Sequence, residues 1–329
     1  MADVARRAQV SLKTVSRVVN GDAAVAAATA ERVREAITGL GYAPHQGARS
    51  LRSGRTMRLG LVLDSLDDPF FAGVYDGVAQ VARRHDHLLL TCTSHAGPER
   101  EQRAVHALLA HGVDGMIATP ADPSATALWA QVDVPVAFVD RPVPGLAADT
   151  VLSDATGGMK AAVDHLAGLG HRHLAYVGGD PKLWTTGARL EAFEAALAQA
   201  GLDPGPAVLG PWTLEGLRGV VQTWADPTSS PEAGVSAVVT GGAEATVGFL
   251  RAIRAGVSWR PALVGFGDLS LADLLCPPLT AVAQQAEAMG RTAAALIFRR
   301  VLDPHAPPQQ AVIATRLVVR GSARPAAKP

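Results

Sequence analysis

Leu12, Lys13, Ser16, Arg17 and Asn20 fall on one side of a helical repeat whose other side is Val15, Val18 and Val19, at i, i+3, i+4 spacing. With the valines turned inward, the outer side carries an ammonium, a guanidinium, a hydroxyl and an amide. These groups can grip phosphates and read base edges, and the aliphatic Leu12 can meet a thymine methyl, although on pattern alone any small helical bundle carries such a polar face. Ser11 stands where the helix must start, and its hydroxyl can accept an orphan backbone N–H there. That helix needs a partner. Val4, Ala5 and Ala8 form an apolar stripe just upstream, across a three-residue turn. Helices this short do not fold alone, and such a pair at a terminus is a common way to present one helix to a DNA groove.

Charge distribution points the same way. Residues 1–58 carry ten Lys and Arg against four acids, a net of +6, whereas the whole chain is formally neutral. A basic N-terminal module on an acidic body is an electrostatic footprint for nucleic acid.

Other chemistry finds little support. Ten scattered His and two Cys form no nucleophile motif, phosphate loop or metal spacing. The densest cluster, His171-Arg172-His173, merely precedes an apolar run. No enzyme activity, metal or cofactor is expected. Cys92 and Cys276 are too few for a disulfide framework and are expected to be buried free thiols. No stretch approaches the ~20 apolar residues of a membrane span, and the charged N-terminus is not a secretory signal. A cytoplasmic location is expected.

The elements downstream set the architecture. Val33, Ala36, Ile37 and Leu40 give a third helix an apolar face, and Gly41 supplies a left-handed stop. Residues 45–53, HQGARSLRS, read as a basic hinge that becomes helical only when held, because Gly47 and Gly54 each cost about 1 kcal/mol relative to Ala. From Leu59 onward, short apolar runs (LGLVL, LLLTC, GMIAT, VPVAFVD) alternate with amphipathic helical patterns, and a second such series starts at Met159. Two strand–helix series imply two similar α/β lobes with parallel sheets and right-handed crossovers. Ligands of such lobes bind at the carboxyl ends of the strands, which here face a cleft.

The ordered motifs DVA…VSLKTVSRVVN, GYAPHQGARSLRSG, LDSLDDPFF, VDGMIATP, HLAGLGHRHLAYVGG, LVGFGD and PPLTAVAQ resemble the lactose/galactose-repressor (LacI/GalR) family of bacterial transcription regulators, from Asp3 to about Ser322. The resemblance implies an all-α helix-turn-helix headpiece (1–43), a hinge helix (44–57) and a periplasmic-binding-protein-like α/β core of two Rossmann-like lobes (58–329). Its N-lobe spans about 58–152 and 285–312, and its C-lobe about 153–284 and 313–329. It also implies a homodimer on a pseudo-palindromic double-stranded operator, in which a small effector of carbohydrate or nucleoside class modulates DNA affinity. By motif position Leu12, Lys13 and Arg17 would face bases, and Ser11, Ser16 and Asn20 would position the backbone. Leu51 would wedge into the minor groove and Ala48 would pack the paired hinges.

Family positions lining the effector cleft fall on Asp64, Phe70, Phe71, Thr119, Asp140, Arg189, Trp212 and Gln284, with Trp184 a looser candidate. Carboxylates and a guanidinium fork suit vicinal hydroxyls, and aromatic faces suit the apolar side of a ring. Phe70 and Phe71 could equally pack a loop, and Asp140–Arg141 could be a surface pair. The chain also departs from the family. Gly242 and Ala243 replace an Asn-Asp pair and Gly267 replaces an aspartate, with Asp268 expected to point elsewhere. These changes suggest an effector less hydroxylated than a hexose, or one held mainly by the other lobe. In the headpiece, Gln9 occupies a turn position usually held by Gly, and Ala26 replaces a Ser helix cap. The residues that normally precede the DVA motif are missing, which implies an upstream start or a weaker operator grip. The tail ARPAAKP has no heptad helix, so no tetramer is expected through it. The competing reading is a solute-binding protein of the same core fold.

Overall fold

A computed structural model describes residues 1–19, 22, 24–42, 55–121, 125–210, 213–225, 234–255 and 258–326. Asn20, Ala48, Leu51 and Trp212, named above, lie outside the described residues. The chain divides into two compact units, residues 1–56 and 57–329.

In the first unit, α1 (Ala2–Ala8), α2 (Leu12–Val19) and α3 (Ala27–Gly39) enclose a small core of Val4, Ala5, Ala8, Val15, Val33 and Ala36. Both stripes read from the sequence therefore point inward, with Val18 and Val19 half-buried at the rim. Leu40 departs from expectation. It lies just past the end of α3 and is 41% exposed, because the chain turns away at Gly41 (φ +56) before Leu40 can join the apolar face. There the Tyr42 N–H bonds Ile37 O and the Gly41 N–H bonds Thr38 O, a closed helix ending. α1 ends identically, with Val10 N–H on Ala5 O and Gln9 N–H on Arg6 O, but Gln9 (φ 53, ψ 47) must adopt the left-handed conformation.

The second unit contains two six-stranded sheets. The first joins β1 (Arg58–Leu63), β2 (Leu88–Thr93), β3 (Gly115–Ala118), β4 (Val136–Val139), β5 (Asp149–Ser153) and β11 (Gln310–Ile313) in the order β11-β5-β4-β3-β1-β2, all parallel. Strand periodicity sorts its residues. Leu59, Leu61 and Leu63 pack against α4 (Pro69–Arg84) and α11 (Ala286–Leu302), while Val62 faces α5 (Pro98–Ala110) and Trp129 of the short α6 (Thr126–Trp129). α4 and α11 pack backbone to backbone. A Cβ on Gly77 would collide with Glu287 O, and one on Gly290 with Val74 O.

The second sheet joins β6 (Leu174–Val177), β7 (Ala207–Val208), β8 (Ala237–Thr240), β9 (Ala262–Phe266), β10 (Thr280–Ala283) and β12 (Arg316–Val318) in the order β12-β10-β9-β8-β6-β7. Its edge strand β12 runs antiparallel to β10, so this sheet is not wholly parallel as the strand–helix alternation suggests. The reason is connectivity: β12 follows β11 from the other sheet, with no crossover helix between them. α7 (Ala155–Gly168) and α8 (Trp184–Gln199) cover one face, and α9 (Leu214–Ala225) and α10 (Ala243–Arg254) the other. The chain passes between the sheets three times, after β5, after β10 and after β11.

The thiols also differ from expectation. Cys92 is half-buried, its thiol pKa pushed up by burial, and Cys276 is exposed because it lies in a turn ahead of β10 rather than in a strand. No helix among the described residues is long and apolar enough to cross a membrane.

Candidate functional site

Four of the eight expected cleft residues stand immediately after a strand. Asp64 follows β1, Thr119 follows β3, Asp140 follows β4 and Gln284 follows β10. A parallel sheet ends there with its last side chains directed beyond the core, so polar groups can reach a ligand without breaking the sheet.

Between the two lobes Asp64 and Asp140 join Arg141 and Arg189 in a ladder of alternating charge. Arg141 Nη2 donates to Asp64 Oδ2 at 3.0 Å, and its Nη1 donates to Pro120 O at 3.1 Å. Arg141 Nε lies 3.5 Å from Asp140 Oδ2, and Arg189 Nη2, from the second lobe, reaches Asp140 Oδ1 at 3.4 Å. Arg189 Nη1 donates to Gly241 O at 2.8 Å, while its guanidinium carbon sits 4.4 Å above the Phe266 ring centroid. The ring face and the carbonyl hold the guanidinium flat, so its remaining edge is presented in a fixed direction. Asp140 and Arg141 are 5% and 6% exposed, which excludes a surface pair. Asp140 also has φ +70, a backbone conformation that Asp tolerates better than most residues.

Arg141 was not among the expected site residues. The signal for it was its place in VPVAFVDRP, directly beyond the carboxyl end of a buried strand, where a charged residue needs a partner. Asp68 is a second addition. Its side chain caps α4 by accepting the Phe70 N–H at 2.9 Å. Burial pushes its carboxyl pKa up. The Phe70 hydrogen bond opposes this, the Asp140 charge adds to it, the Arg189 charge opposes it and the Asp64 charge adds again. Those charges place Asp68 within the field of the ladder.

The remaining candidates separate. Phe71 belongs to the first lobe's core, while Phe70 is only partly buried and meets it edge-on at 5.1 Å between ring centroids. Phe71 is thus a core residue of α4 rather than one that packs a loop. Thr119 is fully buried, its Oγ1 without a partner among the described residues, next to the Pro120 carbonyl that holds Arg141. Trp184 opens α8 and lines a narrow gap with Asp140, Ser153 and Arg189. Gln284 lines a separate cavity of about 330 Å³ with Ala283, Gln285 and Arg316. Asp268 points elsewhere, as expected, in a two-pronged pair with Arg320 at 2.8 Å on each side. His171 bonds Ser236 Oγ and Arg324 O, a tether for the C-terminal segment. No group of three metal-binding side chains occurs among the described residues.

In the first unit, Ser11 Oγ accepts the Thr14 N–H at 3.1 Å and caps α2. Leu12 and Lys13 open that helix and are exposed, with Ser16 and Arg17 half-exposed one turn on. Arg17 Nε bonds Asp22 Oδ2 at 2.7 Å. This hydrogen bond and charge raise the Arg17 pKa and lower that of Asp22.

Residues 1–45 match the family described as bacterial regulatory proteins, lacI family, and residues 163–323 match the periplasmic binding protein-like domain. The HTH-type transcriptional regulator PtxS of Pseudomonas putida is 32% identical over 99% of this chain and 96% of its own. Among solved structures, the lac repressor dimer bound to operator and the anti-inducer ONPF superposes with a TM-score of 0.83 at 25% identity, covering 98% of each chain. A complex of the transcriptional regulator CelR with cellobiose gives 0.71 at 29% identity, covering 97% of this chain and 98% of its own.

Proposed function

The chain belongs to the lacI family of bacterial regulatory proteins, and from that premise we infer that its cleft takes a small polyhydroxylated effector through the Asp64–Arg141–Asp140–Arg189 ladder. It is a ligand-responsive, DNA-binding transcriptional regulator with a helix-turn-helix headpiece and a two-lobed α/β core.

One observation carries the effector reading: the inter-lobe pair of Asp140 and Arg189. A hydroxyl placed there donates to the carboxylate and accepts from the guanidinium, so a diol replaces the pair's own contact with two charge-assisted hydrogen bonds. Such a ligand bridges the lobes and favours whichever closure holds both groups in place. Phe70 and Trp184 supply the apolar contact for a ring, with Thr119 buried next to the Pro120 carbonyl that holds Arg141. A sugar is in keeping with the cellobiose bound by CelR. The protein acts as a homodimeric repressor in the cytoplasm, without catalysing turnover of its ligand.

At the DNA end, Leu12, Lys13 and Arg17 read base edges, with Ser11 and Ser16 on the phosphate backbone. Asn20, Ala48 and Leu51 take the positioning and hinge roles their sequence positions imply.

The test is a footprint of the full-length protein on its own upstream DNA, with and without a panel of sugars, polyols and nucleosides. The expected result is a pseudo-palindromic protected site whose occupancy changes with one polyhydroxylated ligand. Protection that no such ligand alters would refute the effector assignment.

A further inference from the structure

Met57, His87 and Asp114 each stand one residue ahead of a strand, at the amino ends of β1, β2 and β3, which are neighbours in the first sheet. The ladder occupies the opposite edge of that sheet. Met57 is also where the chain enters the second unit, so the DNA-binding unit is joined to the core through it. Its φ of +57 lies in the left-handed region, which a residue other than glycine keeps only where its surroundings hold it. They hold it from both sides. The Met57 N–H donates to Asp114 Oδ2 at 2.7 Å, and Met57 O accepts the Leu88 N–H at 2.8 Å. Asp114 is fixed in turn, its own N–H bonded to Arg58 O at 2.7 Å.

His87 faces the same carboxylate. Its Nε2 lies 3.4 Å from Asp114 Oδ2, and the two side chains are only 7% and 10% exposed. His87 Nδ1 is 2.8 Å from His85 O, and a carbonyl only accepts, so Nδ1 carries the hydrogen. A neutral His87 therefore turns a lone pair toward Asp114, and its Nε2 is buried without a hydrogen-bond partner among the described residues. A protonated His87 turns a donor there instead, making a charge-assisted bond to the oxygen that holds Met57. The other titratable and charged groups around the pair point elsewhere or are exposed. On α11, Phe298 meets the His87 ring edge-on at 4.8 Å, and the neighbouring Arg299 and Arg300 are bonded to Asp149. Arg58 of β1 donates to His111 O. Arg83, Arg84, His85 and Asp86 at the end of α4 are exposed, as are His106 and His111 along α5 and its end.

We propose that His87 and Asp114 form a proton-sensitive anchor for the joint at Met57, so that operator binding strengthens as His87 gains its proton. Histidine is the side chain that changes charge between about pH 5 and pH 8. The imidazolium adds a second donor to Asp114 Oδ2 and keeps the carboxylate where the Met57 N–H needs it. A joint already ordered loses less freedom when the DNA-binding unit engages its site. This inference draws on the DNA-binding function alone and requires no effector.

Anisotropy titrations of the full-length protein on its own upstream DNA, at fixed ionic strength and without added ligand, compare pH 6 with pH 8. The wild type is expected to bind about fivefold tighter at pH 6 than at pH 8, beyond any change shared with the variants. His87→Phe keeps a ring against Phe298 but removes the donor, and should bind at the weaker level at both pH values. His87→Gln supplies a permanent donor near the Nε2 position, and should bind at the tighter level at both. Asp114→Asn keeps an acceptor for the Met57 N–H without the charge, and should lose the pH response. Thermal melting establishes that each variant is folded, and should a His87 variant fail, the Asp114→Asn comparison decides alone. A pH response in His87→Phe or Asp114→Asn equal to that of the wild type overturns the proposal, as does equal behaviour of His87→Phe and His87→Gln.

Discussion

Asp140 and Arg189 meet across the two lobes at 3.4 Å, and each is also held within its own lobe, Asp140 beside Arg141 and Arg189 on Gly241 O and the Phe266 face. Asp140 is therefore the loosely held member of the ladder, 3.4 Å from Arg189 and 3.5 Å from Arg141. The bond from Arg141 to Asp64 is shorter, as is that from Arg189 to Gly241. In the proposed effector reading, a ligand entering here breaks the long contacts of Asp140 and keeps the short ones, so both guanidinium groups are already oriented.

Asp140→Asn and Arg189→Lys each preserve size and remove one feature, the negative charge in the first and the flat fork in the second. Each is expected to weaken effector binding about tenfold or more while operator binding without effector persists. Asp140→Val is expected to cost a further ~1–3 kcal/mol of core stability, because a β-branched residue fits a φ of +70 poorly. Calorimetric titration and thermal melting separate the two effects.

The ladder was only partly legible in the sequence. Asp64 and Asp140 are recognisable because each ends a buried apolar run, a property of chain-local pattern. Arg141 escaped because local pattern cannot say whether a charge at a strand end turns to solvent or back toward another strand's end. Only the pairing of β1 with β3 and β3 with β4 brings Asp64 to it. Phe70 and Phe71 show the same limit, since adjacent aromatics leaving a turn point apart and sequence does not choose which one enters the core. The antiparallel β12 was hidden for a different reason: direct passage from one sheet to the other leaves no helical spacer to reveal strand direction.

Tyr176 offers a test by pH. Its hydroxyl is buried against Gly241 without a hydrogen-bond partner among the described residues, and burial pushes its pKa up to about 12, with the Arg189 charge opposing. The folded value lies above the ordinary value of 10, so the neutral phenol's contribution is complete below pH 10 and is lost as pH rises toward 12. Core stability should fall by about 1.4 kcal/mol per pH unit across that window from this group. Tyr176→Phe should flatten the decline and, by removing an unsatisfied hydroxyl, raise stability at neutral pH by about 1 kcal/mol. Denaturant titrations at pH 8 and pH 11 check both.

The headpiece carries two correctable costs. Gln9 holds a left-handed conformation that Gly adopts freely, and Ala26 leaves α3 without a side-chain cap. Gln9→Gly should stabilise the unit by about 1 kcal/mol and Ala26→Ser by about 0.5–2 kcal/mol. Hydrogen exchange of α1 and α3 amides in the full-length protein measures the gain, and unchanged protection in both variants would contradict it.

In the proposed DNA reading, Arg17 starts from an occupied state. Its Nε is bonded to Asp22, whose pKa is lowered by that hydrogen bond and by the Ala24 N–H, so the carboxylate remains charged throughout the physiological range. Binding a guanine or a phosphate through Arg17 first requires giving up this partner. Asp22→Asn weakens the internal pair and removes a negative charge from the DNA-facing side, so operator affinity should rise and depend more steeply on salt. Arg17→Ala should instead lose about tenfold to a hundredfold discrimination at one base pair in each half-site, with little change at the others. Anisotropy titrations on a set of singly substituted operators distinguish these outcomes. A uniform loss across all positions would show that Arg17 grips the backbone rather than reading a base.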